Sequence, residues 1–332
     1  MKNEPGTKEF SRRRFIGVSA LAVAGLVSGP SFGAPAIVKN LGKPNSKIAG
    51  VQIGVITYSF RSMPTDAESV LKYCLESGVS AIELMGGTAE EFAGAPQMQK
   101  FSRKPESPEE KEEMRRIRDS FAKETADWRA KTSMDKFKQL RKTYADAGVS
   151  IYAWKPSALG MNNSDAEIDY ALRVAKALHA SHVTLELPKD PTHSLRLGKH
   201  AARHKVRVGY HGHLQQTYTA WDEALRQSRY NALNLDLGHY VAAGLDPFPL
   251  LRDKHKDIVS MHLKDRRSKE NGQTNMPWGQ GDTPIAKVLQ LMRDEKYKFP
   301  GTIELEYKIP ENSDAVQEVG KCLEFCRKAL EG

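Results

Sequence analysis

The 332-residue chain is 39% apolar, 8% aromatic and 27% charged, a composition that fits a globular protein rather than a disordered or membrane-spanning one. Its formal charge is +9, of which five basic (Lys2, Lys8, Arg12, Arg13, Arg14) and two acidic (Glu4, Glu9) side chains in the first 36 residues supply +3. The other basic residues are interleaved with acids, without the Lys/Arg stripe and stacking aromatics of a nucleic-acid groove, which argues against nucleic acid as a partner.

In chain order, Ser11-Arg-Arg-Arg-Phe-Ile16 resembles the twin-arginine export signal. Gly17 to Val27 follows as a short apolar run, below the roughly 20 residues of a membrane span, and Ala34-Pro-Ala36 offers small residues for cleavage. Residues 1–36 are therefore expected to be a signal peptide read by the twin-arginine machinery, with the mature protein periplasmic. Residues 37–48 read as a polar linker.

From Val51 the pattern cycles between strand and helix. The first strand is expected over Val51–Phe60, a helix over Thr65–Ser77 stopped by Gly78, and the second strand over Val79–Met85. A long insertion, roughly Gly86 to Met134, carries Pro105-Glu-Ser-Pro108 and a charged helical stretch over Glu109–Arg129; its start would lie over the carboxyl ends of the strands, where lids are found. Further strands are expected at Val149–Lys155, Val183–Leu187, Val206–His211, Ala232–Leu237, Ile258–Leu263 and Gly301–Tyr307, with helices over Leu195–His204 and Ser313–Leu330. Eight strands alternating with helices predict a (β/α)8 TIM barrel over residues 49–332, a single domain with an insertion after strand two. No Gly-x-Gly-x-x-Gly follows the first strand, against a dinucleotide fold. Cys322 and Cys326, four apart on the last helix, and Cys74 read as small buried hydrophobes.

The strands of the second half end in charge. His182–Pro188 carries Glu186, Val206–His213 runs into His211 and His213, and Asn231–Tyr240 contains Asp236 and His239. Ile258–Asp265 contains His262 and Lys264, and Thr302–Tyr307 contains Glu304 and Glu306. Strand side chains alternate faces, so if His211, Asp236, His262 and Glu306 point inward, then His213, Asn234, Lys264 and Glu304 do too. Branched apolar residues are expected to fill the barrel, leaving ionised groups at its rim, paired or ligating. Imidazoles mixed with carboxylates suit one divalent ion of Mn, Zn, Fe, Co or Mg rather than Ca.

These motifs resemble the xylose isomerase-like TIM barrels of the sugar phosphate isomerase/epimerase family, from about residue 50 to the C-terminus. Gly209-Tyr-His-Gly-His213 is similar to the family's Tyr-His-Asn-His, Leu235-Asp-Leu-Gly-His239 to its Asp-x-x-His, and His262-Leu-Lys-Asp265 to its His-x-Lys-Asp. Trp278-Gly-Gln-Gly281 resembles its Gly-x-Gly loop and Ile303-Glu-Leu-Glu-Tyr307 its final Ile-Glu-Tyr. The resemblance implies one metal held by Asp236, His262 and Glu306, with Glu186 favoured over His211 as the fourth ligand. It implies His211, His213 and Lys264 as catalytic residues, Glu186 as a further candidate acid or base, and Lys155 and His239 as substrate contacts.

The chemistry so implied is proton abstraction next to a carbonyl through an enediolate, giving isomerisation or epimerisation of a sugar, or β-elimination from a 3-keto-glycoside. Export points to an unphosphorylated sugar or keto-sugar. Two departures are plain: where epimerases of the family carry a glutamate on strand five this chain has His211, and where they carry a further glutamate shortly after it this chain reads Leu214-Gln-Gln-Thr217. A non-catalytic exported sugar-binding protein is the alternative that loss of this further glutamate supports, and assembly as a homo-oligomer is left open.

Overall fold

The computed structural model describes residues 42–98 and 106–332. The expected signal peptide and most of the expected linker lie outside the described residues. At the linker's end, Lys47–Ile48 is already a short strand, antiparallel to the first barrel strand with Ile48 opposite Val51.

Eight parallel strands follow: β1 (Val51–Ile56), β2 (Ala81–Met85), β3 (Ser150–Lys155), β4 (His182–Glu186), β5 (Arg207–His211), β6 (Asn231–Asp236), β7 (Ile258–Leu263) and β8 (Gly301–Ile303). Each pairs with its successor, and β8 pairs with β1, Gly301 opposite Ile53, which closes the sheet into a TIM barrel. Two strands are shorter than their apolar patterns suggest. β1 stops at Ile56 because Thr57 Oγ1 donates to Glu83 O and accepts from Met85 N, turning the chain over the end of β2. β8 stops at Ile303 because side chains of the β1 loop take over its backbone groups. Ser59 Oγ donates to Ile303 O at 3.2 Å and accepts from Leu305 N at 3.1 Å, and the Arg61 guanidinium donates to Leu305 O.

The outer layer comprises α1 (Ala67–Ser77), α2 (Gly86–Ala93), α3 (Pro108–Lys131), α4 (Asp135–Asp146), α5 (Asp165–Leu178), α6 (Pro191–His204), α7 (Asp222–Gln227), α8 (Leu237–Ala242), α9 (Pro247–Lys254), α10 (Ile285–Asp294) and α11 (Ala315–Glu331). Local signals place their ends. Asp66 caps α1 by accepting from Ser69 N, and Gly78 closes it at a positive φ of 79°. Capping boxes start α3 (Ser107 with Glu110) and α5 (Ser164 with Glu167). The three cysteines are buried and unpaired. Among the described residues no helix is long and apolar enough to cross a membrane.

The insertion after β2 contains α2 and α3. With 24 residues, α3 fully buries only Thr125 and Arg129; its apolar stripe of Met114, Ile117, Phe121 and Trp128 is half-buried, with Trp128 packed against the core. Charge adds to this contact. The Arg129 guanidinium reaches Glu90 on α2 at 2.8 and 3.1 Å, Glu167 on α5 at 3.0 Å and Ser157 Oγ at 2.7 Å. Trp128 adds an edge-on contact with Tyr170.

The barrel interior departs from the expected apolar packing. Contacts between non-adjacent strands pass through the interior, and here they are polar: Tyr152 to Thr302 (β3 to β8, 2.6 Å), His182 to Ser260 (β4 to β7, 2.9 Å), Thr184 to Glu83 (β4 to β2, 2.6 Å) and His262 to Glu83 (β7 to β2, 2.8 Å). Gly54 makes room for one of them, since a Cβ there would lie 2.6 Å from the Tyr152 ring. Polar residues are tolerated because each finds a partner across the barrel.

Candidate active site

Strand register assembles the site. Glu186 at the end of β4 lies opposite His211 at the end of β5, and Asp236 at the end of β6 lies opposite His262 on β7. Thr302 of β8 is level with His262, so Glu304 rises just above it. Asp236 also caps α8, its Oδ1 accepting from His239 N at 2.7 Å, which fixes the carboxylate and leaves Oδ2 facing the site.

At the centre is His262, fully buried. Its Nδ1 lies 3.0 Å from Glu304 Oε2 and its Nε2 2.8 Å from Glu83 Oε2. Lys264, nearly fully buried, places Nζ 2.7 Å from Glu304 Oε2 and 2.9 Å from both Asp236 Oδ2 and Glu306 Oε2. The contact to Asp236 is off the hydrogen-bonding direction, so Oδ2 has an ion-pair partner but no hydrogen bond. His211 Nε2 lies 3.6 Å from the same oxygen, and its Nδ1 is buried without a partner. At the rim, Glu186 lies 2.9 Å from Lys155 Nζ and 3.3 Å from His213 Nδ1, with the Glu186 and His213 side chains about half exposed. His239 is buried against Arg266, Nη1 to Nδ1 2.7 Å, and sits 4.0 Å from Glu306.

The electrostatics follow from burial and these neighbours. Burial alone would neutralise His262, but the Glu304 and Glu83 carboxylates raise its pKa to about 10. Burial would likewise raise Glu83, yet the His262 imidazolium, with Lys155, holds it at about 2. Glu304 is held well below the usual carboxylate range by Lys264 and His262 against its own burial. For Asp236 burial prevails over the pull of Lys264, and its pKa is raised. His211 is pushed well below the ordinary imidazole value by burial and by His262 and Lys155, so it is neutral. His239 falls to about 2 through burial and the neighbouring Lys264 and Arg266.

One ligand atom from each of His211, Asp236, His262 and Glu304 can be chosen so that all lie within 4.8 Å of one another, and the four side chains are buried. The donor types, two imidazoles and two carboxylates, fit a divalent transition metal. Asp236 Oδ2, buried and without a hydrogen bond, is a group that a cation would satisfy. In the present arrangement Lys264 and the His262 imidazolium offset the buried carboxylates, so a metal would have to displace part of that pairing. A second group, Glu186, His211 and His213, brings its ligand atoms equally close together, with His211 buried and the other two exposed.

Of the four residues expected as ligands, Asp236 and His262 are in the buried group. Glu186 and Glu306 stand outside it, and the member that follows β8 is Glu304: the ladder ends at Ile303, and Glu304, just beyond it, comes within 3.0 Å of His262 Nδ1 while Glu306 climbs to the rim beside Lys264. His211 is in the group, with His213 next to it, their ring centroids 4.9 Å apart. Lys155, Lys264 and His239 all face this end of the barrel. Sequence reasoning missed Glu83 as a site residue. Its signal was a lone carboxylate inside the apolar run Val79–Met85. Arg266 and the buried Gln216, which donates to Asp236 O at 3.3 Å, carried no comparable signal.

The profile described as "Xylose isomerase-like TIM barrel" matches residues 71–329. The chain belongs to the xylose isomerase-like TIM barrel family. No curated protein matches the sequence. Among solved structures, the chain is similar to the probable 3-DHS dehydratase AsbF from Bacillus anthracis, with TM-score 0.58, 15% identity, and 82% of this chain and 97% of that one covered. It is similar to the IOLI protein with a bound zinc atom (0.57, 15%, 84% and 99%) and to 3-keto-D-glucoside 4-epimerase YcjR from E. coli (0.56, 11%, 84% and 99%). At these identities the likeness is one of fold.

Proposed function

We propose that this protein is a divalent-metal-dependent enzyme that moves a proton on the carbon next to a carbonyl of an unphosphorylated sugar or keto-sugar, as an isomerase or epimerase. The observation that carries the reading is the convergence of His211, Asp236, His262 and Glu304 within 4.8 Å, beside the buried ammonium of Lys264. A metal bound there would supply Lewis acidity toward a substrate carbonyl and its adjacent hydroxyl. Membership of the family, together with fold neighbours that include an epimerase and a probable dehydratase, supports an enzyme over a mere sugar binder. The twin-arginine motif supports periplasmic placement and hence a substrate without phosphate.

The residues divide the work by burial and charge. His211, buried, neutral and flanked by cations, is suited to ligating rather than to accepting a proton. Glu186 and His213, exposed and 3.3 Å apart, are placed to take a proton from substrate and return it, with Lys155 orienting Glu186. Lys264, kept as an ammonium by Asp236, Glu304 and Glu306, can donate to developing negative charge but cannot act as a base. His239, whose pKa is depressed to about 2, stays neutral and can bond a substrate hydroxyl.

The test is metal content of the purified protein beside Asp236→Ala and His262→Ala, followed by deuterium uptake from solvent into a keto-sugar. About one metal per chain, lost in both variants, with deuterium uptake that needs Glu186 or His213, is the expected result. A protein that takes up no Mn, Zn, Fe or Co, or that binds metal without exchanging substrate protons, refutes it.

A further inference from the structure

A cavity of about 830 Å³ lies over the carboxyl ends of β1 to β3, within the roughly 300–1,000 Å³ typical of small-molecule pockets. It is lined by Thr57, Met85 and Ser157, at or just beyond the ends of those strands, and by Phe121, Thr125 and Arg129 of α3. The candidate metal group is built from β5 to β8, so the cavity occupies the other half of the same barrel mouth. One side chain reaches from the cavity to the other half. Arg61 lines the cavity, lies 4.5 Å over the Tyr58 ring, and donates to Leu305 O, the carbonyl between Glu304 and Glu306. Met85 of the cavity lining is two residues beyond Glu83, which holds His262.

We infer that this cavity is a subsite for a second sugar ring, linked to the sugar that reacts at the metal group. The lining chemistry selects that class. Tyr58 and Phe121 offer aromatic faces, and Tyr58 is 37% exposed although it borders a cavity. Thr88, Gln97 and Thr125 surround the space with neutral hydrogen-bonding groups, and the Thr125 hydroxyl is buried without a partner. Arg129 is already bound by Glu90 and Glu167, Arg61 donates to the Tyr58 and Leu305 carbonyls, and Glu91 adds a carboxylate to the lining, which disfavours a phosphate. Aromatic faces with neutral hydroxyl and amide partners suit a ring that is apolar on its face and hydroxylated at its edge. A free monosaccharide would leave this half of the mouth unfilled.

The inference rests on the keto-sugar reading, and the experiment separates the two. Calorimetry on the metal-loaded protein compares 3-keto-cellobiose with methyl 3-keto-glucoside, in wild type, Tyr58→Ala and Phe121→Ala, each checked for a native melting transition. The two-ring probe should bind at least tenfold more tightly than the one-ring probe, with most of that preference lost in Tyr58→Ala and Phe121→Ala. Equal affinity of the two probes in wild type, or a preference that survives in both folded variants, overturns the subsite. Deuterium uptake into the one-ring probe reports separately: uptake with equal affinities removes the subsite alone, and preferential two-ring binding without uptake keeps the subsite and removes the proposed reaction.

Discussion

Replacing Arg129 with Met tests what holds the insertion on the barrel. The side chain is 5% exposed and makes four contacts of 2.7–3.1 Å to Glu90, Glu167 and Ser157, while the carboxylates it serves are 9% and 11% exposed. Methionine keeps much of the apolar stem but leaves two largely buried carboxylates facing each other without a cation. Breaking a buried pair from one side costs about 3–5 kcal/mol. Glu167 retains Asn163 and the backbone of Ser164 as partners, which moves the expectation toward the lower end, about 3 kcal/mol. At about 2–4 °C per kcal/mol for a chain of this size, the melting midpoint should fall by about 6–12 °C. Urea unfolding followed by circular dichroism gives the free energy, and the double variant Glu90→Gln with Arg129→Met should recover part of the loss. A loss below about 1 kcal/mol in Arg129→Met, or no recovery in the double variant, would refute charge as the anchor of α3.

The metal-free protein should be sensitive to alkali. His262 has a folded pKa of about 10 against 6.5 for an ordinary imidazole, so its contribution is complete below pH 6.5 and is lost as pH rises toward 10. Urea midpoints at pH 6, 8 and 10 should fall by an amount worth a few kcal/mol, and a flat profile contradicts the imidazolium between Glu83 and Glu304. Lys264→Met removes the ammonium shared by Asp236, Glu304 and Glu306; melting without metal should drop by several degrees, and added Zn²⁺ should raise it more than in wild type. An equal Zn²⁺ response in the two proteins would show that the carboxylates do not face a common cation position. Cys74, Cys322 and Cys326 are buried, and burial pushes the Cys74 thiol up to about 12. Ellman titration should detect no thiol in the native protein and three after unfolding.

The barrel was legible because its signals are local. Each strand is a short apolar run flanked by Gly, Pro or Asp, and each helix has its own period and caps, as Asp66, Gly78 and Ser164 illustrate. The residues at the carboxyl ends of β4 to β8 were legible for the same reason: a Glu, His, Asp or Lys at the end of an apolar run stands out along the chain. What pairs across the barrel did not stand out. Glu83 and His262 are 179 residues apart in sequence, and only the stagger and closure of the strands bring them to 2.8 Å. The choice between Glu304 and Glu306 was equally hidden, because both lie on one face of an ideal strand. It was decided when Ser59 and Arg61 of the β1 loop ended the β8 ladder at Ile303. The anchoring of α3 through Arg129 and the polar barrel interior belong to the same class. The sequence by itself determined which elements form and which ends carry charge; the tertiary structure decided which charges meet, because hydrophobic period is a property of neighbouring residues and ion pairing a property of distance in space.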